Sequence, residues 1–522
     1  MAQDTQGKPR AWWPVAGLLI AAFLARGPLY LSVFPPFEGW DEYQHLAYIV
    51  HLDETGTIPV VDERTRVPLA IRPLVLAVPH SPSGADQLGE WGALSYAEYW
   101  DNQRRAGGAA TSSPRLYQAQ HPPLAYALDL PIWRAFKPHG LEAIYAIRAL
   151  NLLIVAAALV LFAAALSRLV PAFGPRVAVL ALVCLHPLFF QNVARVANDA
   201  LAVATGVAGI SLLLLADGRT LLTRGVLAAA CIAASIWSKQ TGLTLVPALV
   251  LGVPLIGWGH GVSTGRLWRA TTIVSLVLLL LVAPLWLWNY RHYGTMIAAD
   301  ESLQLAARGS VVNALAASFA ALHWGTVLEL LFVPGRAWVG GWSYLPTHET
   351  LAGLYAWYYS LLLGAAGVGA VVATLRRARR VEPALAVCAA VVIFTVLGLL
   401  YHALVSNAVF GRPMTNPWYF MAALPFLFVL LVRGLAALNR RLATAACAAL
   451  AVLFVAIDLY GTWIEMPTFY TITTDTALQW SRLSAMHPGI LNGHSRWWFL
   501  AAQLGALCLA AGGMVLARRN RA

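Results

Sequence analysis

Long apolar segments recur along almost the whole chain, and they constrain its fold more than any other feature. Each is about 20 residues long, which is the length an α-helix needs to cross the hydrocarbon core of a bilayer. Only 11% of the 522 residues are charged, whereas a soluble protein carries roughly a quarter. The sequence therefore predicts an all-α polytopic membrane protein.

The apolar pattern predicts twelve membrane spans. The first follows Lys8 and Arg10, as a signal peptide would, but it contains Arg26 and lacks a small-residue cleavage site, so we expect a retained anchor. No internal repeat or soluble domain interrupts the pattern, so we expect residues 1–522 to form a single membrane domain. The approximate spans are 12–34, 143–169, 174–194, 197–216, 225–238, 241–258, 270–289, 350–374, 383–403, 417–433, 442–463 and 495–517.

Basic residues cluster at one set of span ends and predict the orientation of the chain. Examples are "RRARR" at 376–380, the terminal "ARRNRA", and the arginines Arg168, Arg224 and Arg433. We expect a bacterial plasma (inner) membrane protein, and because cytoplasmic loops are enriched in Lys and Arg, we predict that both of its termini lie in the cytoplasm. These clusters, facing anionic lipid, also explain the net charge of +12, so no nucleic-acid partner is predicted. Three long segments then lie outside, at about 35–142, 290–349 and 464–494.

The segment "PPFEGWDEYQHLAYIV" sets two carboxylates and a histidine directly after the first span. Asp41 and His45 are four residues apart and would share one face of a short helix, with Glu42 about 100° around it. The simplest interpretation is capping, because acidic residues stabilise a helix N-terminus. Capping does not explain why further polar motifs are predicted at the same membrane face.

Ionisable groups near a membrane boundary are costly and usually face a polar cavity. We therefore expect the polar motifs of this face to form one outward-facing site. In such a site carboxylates would activate an acceptor, while Lys and Arg would bind a phosphate. Besides Asp41, Glu42 and His45, the candidate residues are His121, Asn198, Asp199, Lys239, Arg291, Trp342, Tyr344 and Arg412.

The order of these motifs resembles a known family. "DE…H" opens the first outer loop, "HPPL" precedes the second span, "NDAL" lies between the third and fourth, a Lys follows the fifth, and "GW…LP" and "GRP…P" come late. This set is similar to the C-type (GT-C fold) membrane glycosyltransferases, in particular the protein-mannosyltransferase and lipid A aminoarabinose-transferase types. The resemblance implies a GT-C fold and transfer of a sugar from a polyprenyl-phosphate donor to a lipid, glycan or protein acceptor at the outer face.

The resemblance also implies roles for single residues. Asp41 matches the acidic catalytic residue of an inverting displacement at the anomeric carbon, with Glu42 as its neighbour. Lys239, with Arg412 and His121 behind it, would stabilise the leaving lipid phosphate. The mannosyltransferase-like branch generally uses no metal, so no metal or other cofactor is predicted, although Asp41, Glu42 and His45 are conceivable ligands of a divalent cation.

Most candidates also have a purely structural interpretation. Lys239 would mark a helix end from which its ammonium group snorkels to the interface. His121 would only shape a turn, because two prolines follow it. Asn198 and Asp199 would cap the next helix, and Arg412 would contact anionic lipid. Most of the tryptophans and tyrosines would form an interfacial belt.

Three other functions stay open from the sequence. A transporter or flippase of a lipid-linked glycan needs polar groups at several depths, whereas the ionisable groups here gather at one face. A glycan polymerase or ligase would use the same donor, and a scaffold without catalysis would leave Asp41 unexplained. The distribution of charges favours an enzyme.

Overall fold

The computed structural model describes residues 12–39, 41–62, 64–103, 113–307, 310–327, 345, 348–376, 382–487 and 495–519. Within these ranges the chain forms helices and two isolated bridges, and no strand. The α-helices are α1 (Trp12–Leu31), α2 (Glu42–Thr55), α3 (Arg72–Leu76), α4 (Pro82–Gln87), α5 (Tyr96–Trp100), α6 (Leu124–Phe136), α7 (Glu142–Leu169), α8 (Phe173–Leu185), α9 (Pro187–Val193), α10 (Asp199–Leu214), α11 (Leu221–Ser238), α12 (Val246–Gly259), α13 (Thr264–Tyr293), α14 (Asp300–Ala307), α15 (Val311–Ala321), α16 (Glu349–Arg376), α17 (Pro383–Phe410), α18 (Leu424–Leu438), α19 (Arg440–Tyr460), α20 (Met466–Thr471), α21 (Thr476–Met486) and α22 (Ser495–Arg519).

The helices coincide with the predicted spans. Among the described residues, eight helical segments are long and apolar enough to cross a membrane, or nine if α8 and α9, which meet at 51°, form one broken span. The other three predicted spans correspond to α10, α18 and α22, whose apolar stretches are shorter. The prediction of an all-α, multi-pass membrane protein is confirmed, while the orientation of the termini stays a prediction.

Helices α16 and α18 approach each other at a pair of glycines. A Cβ atom at Gly369 would collide with the backbone of Gly434, and one at Gly434 would collide with the Ala366 carbonyl group. Only residues without a side chain allow this contact, which is typical of packing between membrane helices.

A buried ion pair joins α1 to α19 inside the bundle. The guanidinium group of Arg26 donates to both carboxylate oxygens of Asp458, at 3.0 and 2.7 Å, and to the Cys184 carbonyl oxygen at 2.9 Å. Charges inside a membrane protein often mark a functional site. Here bidentate pairing satisfies both groups, so the pair fixes the position of α1 against its neighbours.

Several predicted cytoplasmic arginines meet at one end of the bundle. Arg168 and Arg224 both donate to the Leu215 carbonyl oxygen. Arg433 pairs with Glu382 at 2.6 Å and lies near the end of α7, where it donates to a backbone carbonyl. The polar motifs of the predicted outer face lie at other helix ends, which is the arrangement that the spacing of the spans predicts.

Candidate functional site

Asp41 begins α2 in an unusual backbone conformation. Its φ angle is +57°, in the left-handed region that Asp tolerates better than most residues. Although Asp41 occupies the N-cap position, its side chain makes no capping hydrogen bond. Its carboxylate instead lies beside the Tyr117 hydroxyl. Capping therefore does not account for this residue, and backbone strain of this kind clusters at functional sites.

The surroundings of Asp41 alter its acidity. Burial raises the pKa of Asp41 above its ordinary value, while the Tyr117 hydroxyl and the positive charges of Arg195 and Lys239 act in the opposite direction. The negative charge of Asp199 raises it further. A raised pKa suits a general base, because proton transfer is most efficient when the pKa lies near the operating pH.

Glu42 has entirely different surroundings, although it is the next residue. Its fully buried carboxylate accepts hydrogen bonds from Arg148 Nε at 2.7 Å and Nη2 at 2.5 Å. It also accepts from the backbone amides of Phe37 and Val196, both at 2.8 Å. Four donors fill its acceptor capacity, so Glu42 fastens α2 to α7 and to the segment before α10. Its share in catalysis stays a prediction. Gly39 permits this approach, since a Cβ there would lie 3.0 Å from Cβ of Arg195.

The predicted lysine and aspartate meet in a buried cluster. Lys239 Nζ donates to Asp199 Oδ1 at 2.6 Å, and Arg195 Nη2 donates to Asp199 Oδ2 at 3.0 Å. The relative exposure of each residue is at most 7%. Two cations thus share one carboxylate, which leaves one positive charge that Asp199 does not neutralise.

Local structure directs Lys239 into the bundle. The residue ends α11 with an extended backbone (φ −153°, ψ 137°), and a short 3₁₀-helix, Gln240–Leu245, follows before α12. Gly242 makes this tight reversal possible, because a Cβ there would lie 2.7 Å from the Ile236 amide nitrogen. The expectation that Lys239 snorkels to the interface is wrong, since its ammonium group is held by Asp199.

Several buried polar atoms at this site have no hydrogen-bond partner among the described residues. They are Nε and Nη1 of Arg195, both amide atoms of the Asn198 side chain and Nδ1 of His121. Asn198 precedes α10 but makes no capping hydrogen bond. Unpaired buried groups are costly, and each calls for an explanation such as a ligand.

A small cavity adjoins the cluster, with room for about one water molecule. Its lining comes from α10, α11, the 3₁₀-helix after Lys239 and the aromatic turn before α18. The lining residues are Asp199, Ala202, Val203, Ser235, Thr241, Gly242, Trp418, Tyr419 and Ala422.

Two aromatic residues cover the cations. The Tyr419 ring centroid lies 5.0 Å from Lys239 Nζ, and that of Trp418 lies 5.9 Å from Arg195 Cζ. Cations are attracted to aromatic faces at such distances. The turn "NPWYF" at 416–420 therefore closes the site over its two cations.

Two stacked histidines, His45 and His121, form another wall of the site. Their ring centroids are 6.2 Å apart with nearly parallel planes, and His45 Nδ1 is hydrogen-bonded to the Tyr126 hydroxyl at 2.8 Å. Burial lowers the pKa of both rings, that of His121 to about 3, so both are neutral at physiological pH. No group of three His, Cys, Asp or Glu side chains suited to a metal ion occurs among the described residues.

The structure does not bring every predicted residue into the cluster. Arg291 and Arg412 are exposed, and neither belongs to an ion pair in the part of the chain that the structure describes. Arg412 follows α17 near the "NPWYF" turn, and Arg291 lies in the last turn of α13. Trp342 and Tyr344 lie outside the described residues.

Sequence reasoning missed several residues of the site. Arg195 lies three residues before the motif "NDAL" and four residues before Asp199, a spacing typical of an ion pair. Tyr117 directly precedes "QAQHPPL". Tyr419 carries no comparable signal, because aromatic residues are common near the ends of membrane spans.

No protein-family model matches the chain, and no curated protein is similar to it in sequence. Its structure is similar to that of the archaeal oligosaccharyltransferase AglB from Archaeoglobus fulgidus, solved with an inhibitory peptide and a dolichol-phosphate (14% identity, TM-score 0.40). That match covers 88% of this chain and 56% of AglB, so the chain spans about half the length of that protein.

A second similar structure is ArnT from Cupriavidus metallidurans bound to undecaprenyl phosphate, at 16% identity and a TM-score of 0.36. The match covers 91% of this chain and 74% of ArnT. Both similar proteins are GT-C fold enzymes, the class that the motifs resemble. With TM-scores below 0.5, these similarities carry no argument about the reaction.

Proposed function

We propose that the protein is a membrane glycosyltransferase that moves a sugar from a polyprenyl-phosphate donor to an acceptor at the extracytoplasmic face. One observation carries the proposal: two buried cations, of which Arg195 has unpaired N–H groups, lie close enough to Asp41 to affect the raised pKa of its carboxylate. The order of the sequence motifs points to the same class of donor.

The cation cluster suits the phosphate of such a donor. Arg195 offers Nε and Nη1, and Lys239 shares Asp199 with it. A phosphate would satisfy these donors and balance the surplus positive charge. The same groups would stabilise the negative charge that develops on the phosphate as it leaves, and such electrostatic stabilisation is often the largest catalytic contribution.

Asp41 would act as the general base of the reaction. An acceptor hydroxyl oxygen attacks the anomeric carbon and passes its proton to the Asp41 carboxylate. The bond between the anomeric carbon and the phosphate oxygen breaks, and the lipid phosphate leaves with the electron pair. Attack from the side opposite the phosphate inverts the configuration at that carbon.

A transporter is the less favoured alternative. Among the described residues, the ion pair deep in the bundle, Arg26–Asp458, is closed and bidentate, so it offers no unpaired charge to a passing substrate. The unpaired polar groups described above belong to the site beside Asp41.

The proposal is tested with the purified protein in nanodiscs and a panel of undecaprenyl-phosphate sugars. We expect hydrolysis or transfer with one of them, and a loss of roughly 100- to 10,000-fold in Asp41→Asn, the range typical of a general base. Asp53→Asn is the matched control, because Asp53 lies in the same helix but pairs with the exposed Arg134 and Lys137. Turnover that is equal in Asp41→Asn and the wild type would exclude this role for Asp41.

A further inference from the structure

Glu301 and His402 lie beside the aromatic turn but have no part in the phosphate or proton chemistry described above. Glu301 belongs to α14 and His402 to α17, and the distance from Oε1 to Nε2 is 4.0 Å. The His402 ring meets Tyr419 edge-on, with centroids 5.4 Å apart. Lys239 also contacts the Tyr419 ring, so Tyr419 touches both the proposed phosphate site and the Glu301–His402 pair.

This arrangement combines aromatic and polar surfaces, as a sugar-binding site requires. Sugars combine an apolar C–H face, which packs on aromatic rings, with hydroxyl groups that need directed donors and acceptors. Tyr419 and Trp418 supply aromatic rings at the cavity, and Glu301 and His402 supply polar groups. Thr415, in the same turn, is 7% exposed, and its Oγ1 atom has no partner among the described residues. A polar ligand would satisfy such a hydroxyl.

The charge around Tyr419 is unevenly distributed. The carboxylates of Asp41, Asp199 and Glu301 all act electrostatically on this ring. Asp199 pairs with two cations, whereas the ion-pair partner of Glu301 among the described residues is His402, which is charged only if protonated. Glu301 therefore places a negative charge beside His402 and Tyr419, and like charges placed against each other in a binding site are strongly disfavoured.

We propose that Glu301, His402 and Tyr419 form the subsite for the sugar of the donor, and that Glu301 selects neutral or amino sugars over uronic acids. This inference rests on the proposed function, because it assumes that the phosphate of the same donor binds Lys239 and Arg195. It concerns binding, so it is testable without turnover.

The test compares the dissociation constants of four lipids: undecaprenyl phosphate alone, and undecaprenyl phosphate linked to glucose, glucosamine or glucuronic acid. We expect the wild type to bind the glucose or glucosamine lipid at least about tenfold more tightly than the glucuronic acid lipid. Glu301→Gln is expected to reduce this ratio to about threefold or less, because the repulsive charge is removed. Its affinity for undecaprenyl phosphate alone should stay unchanged, which also shows that the variant is folded.

Asp300→Asn is the matched control. It removes the same charge from the neighbouring position of α14, but Asp300 pairs with Arg115 at 3.5 Å, so the ratio should stay as in the wild type. The subsite would be overturned if the wild type bound the glucuronic acid lipid as tightly as the glucose and glucosamine lipids. It would also be overturned if Glu301→Gln had the same ratio of dissociation constants as the wild type. Failure to bind undecaprenyl phosphate at all would instead overturn the proposed function.

Discussion

Asp41 and Glu42 are adjacent in sequence, but they belong to two regions that differ in how completely their charges are satisfied. In the region around Glu42, two N–H groups of Arg148 and two backbone amides occupy all the acceptor positions of the carboxylate. In the region around Asp41, two cations share Asp199, and Arg195 keeps unpaired N–H groups. The comparison shows that buried charge alone does not mark a functional site; the Asp41 region differs in keeping hydrogen-bonding capacity that the Glu42 carboxylate and Arg148 do not have.

The largest expected effect tests whether the Glu42 region is purely structural. Arg148→Met leaves the Glu42 carboxylate buried without its cation, so we expect a loss of about 3–5 kcal/mol in the free energy of unfolding, measured by thermal denaturation in detergent. The double variant Glu42→Gln/Arg148→Met should recover part of this loss, because no buried charge remains. A stable Arg148→Met protein that has lost turnover would instead show that this region takes part in catalysis.

The next effect tests whether the Asp41 region binds the donor. Lys239→Met removes a charged hydrogen-bond donor from the proposed phosphate site, so we expect undecaprenyl phosphate to bind about 10- to 100-fold more weakly, equivalent to roughly 1.5–3 kcal/mol. Lys137→Met is the control, because Lys137 pairs with Asp53 away from the site. Equal affinities of the two variants, measured by isothermal titration, would contradict a phosphate site at Lys239.

Glu38 is intermediate between Asp41 and Glu42 in how completely its carboxylate is satisfied. Its buried carboxylate accepts a hydrogen bond from the Ser81 amide at 2.8 Å and has no ion pair in the described ranges. Burial raises the pKa of Glu38 to about 7. A raised carboxyl pKa stabilises the fold at low pH, and this contribution is lost as the pH rises through the folded-state value.

Glu38→Gln should therefore raise the melting temperature relative to the wild type at pH 8, by an amount corresponding to at most about 3 kcal/mol. At pH 5, where the wild-type carboxyl is largely neutral, the difference should be much smaller. Melting curves of the two proteins at both pH values measure this, and a difference independent of pH would contradict the assignment of an uncharged Glu38.

The smallest effect concerns the pH profile of turnover. A base must be deprotonated, so activity should fall as the pH drops through the raised pKa of Asp41. The acid limb of kcat/KM should then lie above the ordinary aspartate range near 3.9, and it should be absent from the residual activity of Asp41→Asn. A limb that persists unchanged in that variant would assign the titration to another group.

Part of the site was predictable, because its residues stand out locally. Asp41, His121, Asp199 and Lys239 interrupt apolar surroundings near predicted span ends, and the alternation of the spans predicts that these ends share one face. Arg291 was predicted on the same grounds, yet it is exposed. A helix end specifies a depth in the membrane, but it does not specify which way a side chain points.

The sequence by itself determined the helices, their membrane-spanning character and the face on which the polar motifs gather, because apolar length and charge distribution are local properties of the chain. Only the tertiary structure decided which of the two adjacent carboxylates, Asp41 or Glu42, has all its acceptor positions occupied by hydrogen bonds. That outcome depends on Arg148 and Val196, 106 and 154 residues from Glu42. Hydrogen bonds act over about 3 Å, so a contact between such distant residues exists only once the helices that carry them have packed.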